Sequence, residues 1–215
     1  MSLKPFSFET LENFDEHIQK SIPNYDLLFD SLLRIAEYFR DDTKRIYDLG
    51  CSTGKLLSTL EFNGDKIGID KAKQLFESSL DDKVKYITYD LNNEYIFENA
   101  CIVFAIFTLQ FLKKENRQRL VNNVYNGLCK GGAFIVAEKV YAGDAQIQEI
   151  YTFSHYDFKR SKFSEKEILE KENSLRRMLR PQTTAENIDM LKNVGFKVIE
   201  PFYKYFNFEA WLCIK

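Results

Sequence analysis

Asp48-Leu49-Gly50-Cys51-Ser52-Thr53-Gly54 is the stretch of this chain whose residue types and spacing can do chemistry. It leaves a short apolar run, Arg45-Ile46-Tyr47, and enters a helix-like one, Lys55 to Leu60. Glycines without a Cβ let a ligand approach the backbone, and a helix opening there adds oriented N–H groups. A second apolar run, Lys66-Ile67-Gly68-Ile69, ends in Asp70, twenty residues beyond Gly50. A carboxylate at that point can accept both hydroxyls of a ribose. Lys83 to Tyr89 alternates as a strand and stops at Asp90-Leu91. Together these pieces predict a nucleoside-containing cofactor on an α/β sheet.

The spacing Gly50-x-Ser52-x-Gly54 departs from the Gly-x-Gly-x-x-Gly of dinucleotide sites, and Asp48 is a poor neighbour for a pyrophosphate. It resembles the first motif of class I S-adenosylmethionine-dependent methyltransferases, acidic-x-Gly-x-Gly-x-Gly, with Ser52 for the middle glycine. The resemblance implies S-adenosylmethionine, or a derivative of it, framed by Asp48, Gly50, Cys51, Ser52, Gly54 and Asp70. It further implies that Asp90 meets the adenine amino group while the backbone N–H of Leu91 completes that edge. Phe107, after the buried run Ala100–Ile106, would floor the methionine moiety. The plainer readings are a strand-end cap for Asp90, core packing for Phe107 and Phe111, and a merely small residue at Cys51.

The elements around these residues must form an α/β, Rossmann-like class I fold: a seven-stranded, mostly parallel sheet with helices on both faces. Residues 1–43 read as N-terminal helices, with Leu27, Leu28, Leu32, Ile35, Ala36 and Phe39 at helical spacing after Pro23. A helix is expected over Lys114–Leu128, closed by Gly131-Gly132, with a strand over Ala133–Lys139. About 141–180 interrupts the alternation as a helical lid or dimer insertion before the last two strands. A helix near Thr184–Val194 stops at Gly195, and Phe196–Ile199 pairs with Tyr205–Ile214 as a closing hairpin.

The 215 residues read as a single domain, and a net charge of −2 gives no general drive toward nucleic acid or membrane. No run approaches the roughly 18 apolar residues of a membrane span, and a cytoplasmic protein is expected. Cys51, Cys101, Cys129 and Cys213 lack metal-ligand spacing, so no metal site is expected. Residues 159–180 carry Lys159, Arg160, Lys162, Lys166, Lys171, Arg176, Arg177 and Arg180 against Glu165, Glu167, Glu170 and Glu172. This basic stretch reads either as an anion-attracting surface or as a solvated helix with Glu167–Lys171 and Glu172–Arg176 pairs.

Several phrases resemble one family within the class I group, the bacterial carboxy-S-adenosylmethionine synthases. They are Phe14-Asp15-Glu16, Ser21-Ile22-Pro23-Asn24-Tyr25, Tyr47 to Ser52, Phe107 to Phe111, Glu138-Lys139, His155 to Arg160 and Phe206-Asn207-Phe208. The resemblance implies a homodimer that binds S-adenosylmethionine and takes a carboxyl group from prephenate, the sulfonium losing a proton to an ylide that captures the carboxyl carbon. The product serves tRNA wobble-uridine modification, with no direct nucleic-acid binding by the enzyme itself. Tyr25 is implied at the sulfonium end. Two positions depart: Ile106 stands for a family asparagine, and Lys171-Glu172 for a Lys-Arg pair whose arginine grips the added carboxylate from a neighbouring subunit. Glu172 is therefore expected to oppose a carboxylate, unless Arg176, one turn on, takes over. The resulting expectation is an S-adenosylmethionine-dependent methyltransferase-fold enzyme acting on a small molecule, with Tyr25, His155 and Tyr156 lining the acceptor site. Carboxyl transfer from prephenate, or a non-catalytic cofactor-binding subunit, are the alternatives.

Overall fold

A computed structural model describes residues 13–77 and 81–215. The expectation of helices over 1–43 therefore falls partly outside the described residues. Within them, α1 (Phe14–Ser21) and α2 (Tyr25–Phe39) are separated by a break in which Asn24 takes a left-handed φ of 54°.

The strands β1 (Arg45–Leu49), β2 (Asp65–Asp70), β3 (Val84–Thr88), β4 (Ala100–Ile106), β5 (Leu128–Lys139), β6 (Val198–Tyr205) and β7 (Phe208–Ile214) form one sheet. Among the described residues it has seven strands in the order β3-β2-β1-β4-β5-β7-β6. The first five pair in parallel, and β7 lies antiparallel between β5 and β6. This is the mostly parallel sheet that alternating strands and helices predict. Where β1 and β4 lie side by side the chain order reverses, and α/β sheets bind ligands at the strand C-termini of such a point.

Alternation along β4 divides the core in two. Ile102 and Phe104 face Leu28, Leu32 and Ala36 of α2 and Leu56 and Leu57 of α3 (Lys55–Thr59). Val103 and Ala105 face Leu120, Val121 and Val124 of α5 (Lys114–Gly127), with Met190 and Leu191 of α8 (Thr184–Val194) in the same layer. A strand covered on both faces must be apolar throughout, which is why Ala100–Ile106 reads as an unbroken apolar run. A short helix, α4 (Lys73–Glu77), follows β2.

Two boundaries differ from the sequence expectation. The helix before β5 ends at Gly127, where a Cβ would strike Phe97, and β5 starts at once with Leu128. Gly131 and Gly132 thus lie inside β5, where the pairing with β4 shifts register, and do not close the helix. At the hairpin, Tyr205 ends β6, and Phe206 adopts a φ of 48° without a glycine to announce the turn.

Candidate active site

Gly50 and Gly54 both take left-handed φ values, 72° and 77°, and a Cβ on either would collide with Thr108 or Tyr86. Ser52 between them is also left-handed at 51°. Such strain at a non-glycine residue persists only where its surroundings fix it. Here the Asp70 carboxylate does so: Oδ2 accepts the Ser52 N–H at 3.0 Å, while Oδ1 accepts the Ala72 N–H at 2.8 Å. Thr108 supports the turn from below, its hydroxyl donating to the Leu49 carbonyl at 2.6 Å.

This turn opens into a cavity of about 320 Å³ at the C-terminal ends of the strands. Tyr25, Asp48, Gly50, Cys51, Ser52, Asp70, Asp90, Leu91, Phe107 and His155 line it; Gly54 and Tyr156 are not among its lining residues. Gly54 contributes as the left-handed N-cap of α3. Asp48 is buried, and burial together with nearby Asp70 pushes its carboxyl up to about 7. Burial also drives the Cys51 thiol far above its ordinary range, which suits a small packing residue and not a nucleophile. Burial and the carboxylates of Asp15, Asp48 and Asp26 raise the Tyr25 hydroxyl, keeping it a neutral donor. Asp90 accepts from the Asn92 N–H at 2.9 Å, as a cap would, while still lining the cavity. The glycine cradle, the acidic set and the buried, unpartnered Ser52 hydroxyl fit S-adenosylmethionine, whose charged groups are a sulfonium, an ammonium and a carboxylate.

The other end of the cavity is built from the insertion helices α6 (Ala145–Arg160) and α7 (Glu165–Met178) and the end of β5. Ile168, Glu172 and Leu175 form the buried face of α7. The Lys159 ammonium donates to Glu172 Oε1 at 2.7 Å, and Lys139 lies 4.0 Å from Glu172 Oε2. Burial would push the Glu172 carboxyl up, but the two lysines outweigh it and hold it at about 2. Lys171 donates to the Ser21 hydroxyl at 2.8 Å and also meets His17. Burial and its lysine neighbours bring Lys171 down to about 7. Gln110 ties the walls together, accepting from the Lys139 backbone N–H at 2.9 Å and donating to the Phe107 carbonyl at 3.2 Å.

Several expectations are corrected by this arrangement. Glu172 pairs with Lys159 and not with Arg176, because α7 packs its Glu172 face inward against α6. Arg176 is exposed and lies beside Tyr156, and neither lines the cavity as the sequence assigns it. Glu167 closes a capping box on Ser164, leaving Lys171 to Ser21 and His17. His155 Nε2 lies 2.9 Å from the Ser21 carbonyl and must carry the proton there, since a carbonyl only accepts. Burial, with Lys159 and Lys139 close by, lowers His155 to about 3, which fits a neutral strut between α6 and α1 and not a general base. Sequence reasoning missed Asp15, whose carboxylate accepts from Thr53 at 3.0 Å and fastens α1 over the turn. It also missed the convergence of Lys139, Lys159 and Lys171, which three separate elements supply.

No helix of the described residues is long and apolar enough to cross a membrane, and no cluster of metal-binding side chains occurs among them. A search against family models finds no match. Among solved structures, a Thermotoga maritima S-adenosylmethionine-dependent methyltransferase superposes with a TM-score of 0.64 at 17% identity, covering 97% of each chain. Human N-acetylserotonin methyltransferase, solved with S-adenosylmethionine, superposes with a TM-score of 0.55 at 17% identity, over 95% of this chain and 59% of its own. These likenesses establish the class I fold. Among curated proteins, the Staphylococcus epidermidis carboxy-S-adenosyl-L-methionine synthase is 34% identical over the full length of both chains. The Psychromonas ingrahamii enzyme of the same name is 34% identical over 98% of this chain and 93% of its own. The chain is a member of the carboxy-S-adenosyl-L-methionine synthase family, a group of S-adenosylmethionine-dependent transferases.

Proposed function

We propose that this protein transfers a carboxyl group from prephenate to S-adenosylmethionine, giving carboxy-S-adenosylmethionine, phenylpyruvate and water. The methyl carbon loses a proton to the hydroxide that leaves the donor ring and bonds to the carboxyl carbon released from it. The observation that carries the reading is the polarity of the cavity. Asp15, Asp48, Asp70 and Asp90 outnumber Lys55 and Lys71 at its glycine-turn end, and Lys139, Lys159 and Lys171 line the other with Glu172. A sulfonium cation suits the first end, and an anionic donor suits the second. The relatives' names support the same chemistry.

When bound, S-adenosylmethionine supplies an acidic methyl group beside its sulfonium. The chain's own work is orientation and exclusion of water. Tyr25, Asp48 and Phe107 border the cavity around the sulfonium end in this assignment, and Asp70 and Asp90 hold the adenosine. The lysines hold the donor's carboxylate. The test is to incubate the pure protein with S-adenosylmethionine and prephenate and to follow products by mass spectrometry. Carboxy-S-adenosylmethionine that requires both substrates supports the reading, and its absence removes it.

Methyl transfer to a small acceptor is the second reading. Ile106, apolar where the family resemblance places an asparagine, favours it by removing a polar contact from the cavity wall. S-adenosylhomocysteine would then accumulate with a methylated acceptor. Under either reading we place the protein in the cytoplasm without direct nucleic-acid binding; under the first, its product feeds tRNA wobble-uridine modification. A homodimer through α6 is part of this proposal. Ile147, Ile150 and Phe153 recur at three-residue spacing and stand 41%, 49% and 60% exposed, an apolar stripe of the kind interfaces cover.

A further inference from the structure

The chain leaves β4 through a strained residue. Along this strand successive side chains alternate, Ile102 and Phe104 packing toward α2 and Val103 and Ala105 toward α5. Continued by one step, that alternation would send Phe107 toward α5. Instead Phe107 takes a left-handed φ of 55°, and its ring packs on the side of Ile102 and Phe104, lining the cavity beside Ile106. Bulky residues rarely adopt this conformation, and one that does is held there by its surroundings. Here both groups of the Phe107 backbone are gripped. Its N–H donates to the Ala137 carbonyl at 2.7 Å, and its carbonyl accepts from Gln110 Nε2 at 3.2 Å. Gln110 is fixed in turn. It is buried, its Oε1 accepts the Lys139 N–H at 2.9 Å, and its own carbonyl accepts the Arg180 N–H at 2.7 Å. The Phe208 ring meets that of Phe107 at 83°, with 5.9 Å between centroids.

We infer that Gln110 is a positioning residue: it holds Phe107 in the left-handed conformation that turns the ring into the cavity, where the ring face receives the sulfonium of S-adenosylmethionine. The inference rests on the proposed function, which places this part of the cavity around the sulfonium. The face of an aromatic ring is the negative end of its quadrupole and attracts a cation, most strongly where water is excluded. The thioether of S-adenosylhomocysteine carries no charge and gains no such attraction. The site therefore selects sulfonium over thioether by a ring as well as by the Asp48 carboxylate. In the proposed reaction the sulfur is a sulfonium in substrate and product alike, so one ring serves both.

The experiment measures, by calorimetry on the whole protein, the affinities of S-adenosylmethionine and S-adenosylhomocysteine at pH 8, where Asp48 is mostly charged. Phe107 is replaced by mono-, di- and trifluorophenylalanine, which keep the ring and every backbone hydrogen bond while draining charge from the ring face. The ratio of the two affinities, sulfonium over thioether, should fall stepwise along this series, about tenfold in all. Gln110→Met keeps the length of the side chain without its hydrogen bonds and should lower the same ratio about fivefold. Gln110→Asn, too short to reach the Phe107 carbonyl, takes its place if that variant does not fold. A ratio unmoved by fluorination would overturn the role of the ring. Gln110 variants that weaken both ligands equally would overturn the positioning role. Failure of the wild type to bind S-adenosylmethionine would overturn the proposed function and this inference together. The expected ratios without carboxy-S-adenosylmethionine formed from prephenate would overturn the proposed function alone.

Discussion

The carboxylate of Glu172 and the ammonium of Lys159 lie 2.7 Å apart in the wall of the cavity, both largely removed from water. This pair changes the meaning of an acidic residue at position 172. Taken from the sequence, Glu172 is a negative charge turned against a carboxylate; in the fold its charge is committed to Lys159 and Lys139. Beside that pair, Lys139 and Lys171 also line the cavity.

Glu172→Arg should therefore damage the fold more than it helps a ligand. It removes the partner of a buried ammonium and adds a fourth cation beside it. Breaking a buried ion pair costs about 3–5 kcal/mol, and urea unfolding should show a loss of that order. An unchanged unfolding midpoint would mean that the pair does not form.

In mild acid the two histidines should work against the fold, opposed by Asp48 and Glu138, whose raised carboxyls take up protons there in the folded chain. The two histidines, His17 and His155, have folded pKa values lowered to about 4 and about 3, first by burial. The unfolded chain takes up their protons below about pH 6.5 while the folded chain does not. Their contribution is thus fully present above that pH and is lost progressively as it falls toward 4 and 3. The Glu172 contribution follows, from its unfolded pKa near 4.5 down to about 2. Urea midpoints at pH 7 and 5 for the wild type and for His155→Gln check this: the midpoint of the variant should drop less, or rise more, between the two than that of the wild type, and an equal change in both would contradict it.

Affinity for S-adenosylmethionine should rise with pH through neutrality. Asp48, pushed up to about 7 by burial and Asp70, gains its charge there, and an anion at that point attracts the sulfonium and ammonium. Asp48→Asn should flatten the profile and weaken binding about tenfold at pH 8. A profile that stays steep in the variant would assign the titration to another group.

Phe153→Asp should give a monomer. It places a charge in the exposed Ile147–Ile150–Phe153 stripe of α6, away from the cavity lining. Light scattering on the eluting wild-type protein should report twice the monomer mass, and on the variant the monomer mass. A wild-type monomer would remove the dimer.

The glycine-turn end of the cavity was legible because its signals are local. The turn from Asp48 to Gly54, and Asp70 and Asp90 at strand ends, each fall within a few residues of a glycine turn or an apolar run. The insertion end was not, because its lysines come from β5, α6 and α7 and meet only when α7 packs on α6. Helical spacing suggested Glu172–Arg176 as a surface pair, yet Ile168 and Leu175 turn Glu172 inward while Arg176 stays outside. The order of the elements was readable throughout. Boundaries slipped where glycines misled, as at Gly131-Gly132 inside β5, or where none marked the turn, as at Phe206.

The most direct measurement follows two carbon labels at once. Pure protein is incubated with S-adenosylmethionine labelled in its methyl carbon and with prephenate labelled in its ring carboxyl, and the nucleoside products are weighed by mass spectrometry. The account predicts one nucleoside product carrying both labels, formed as the donor ring turns aromatic. S-adenosylhomocysteine without either label, its methyl carbon found on a third molecule, would contradict it and establish methyl transfer instead.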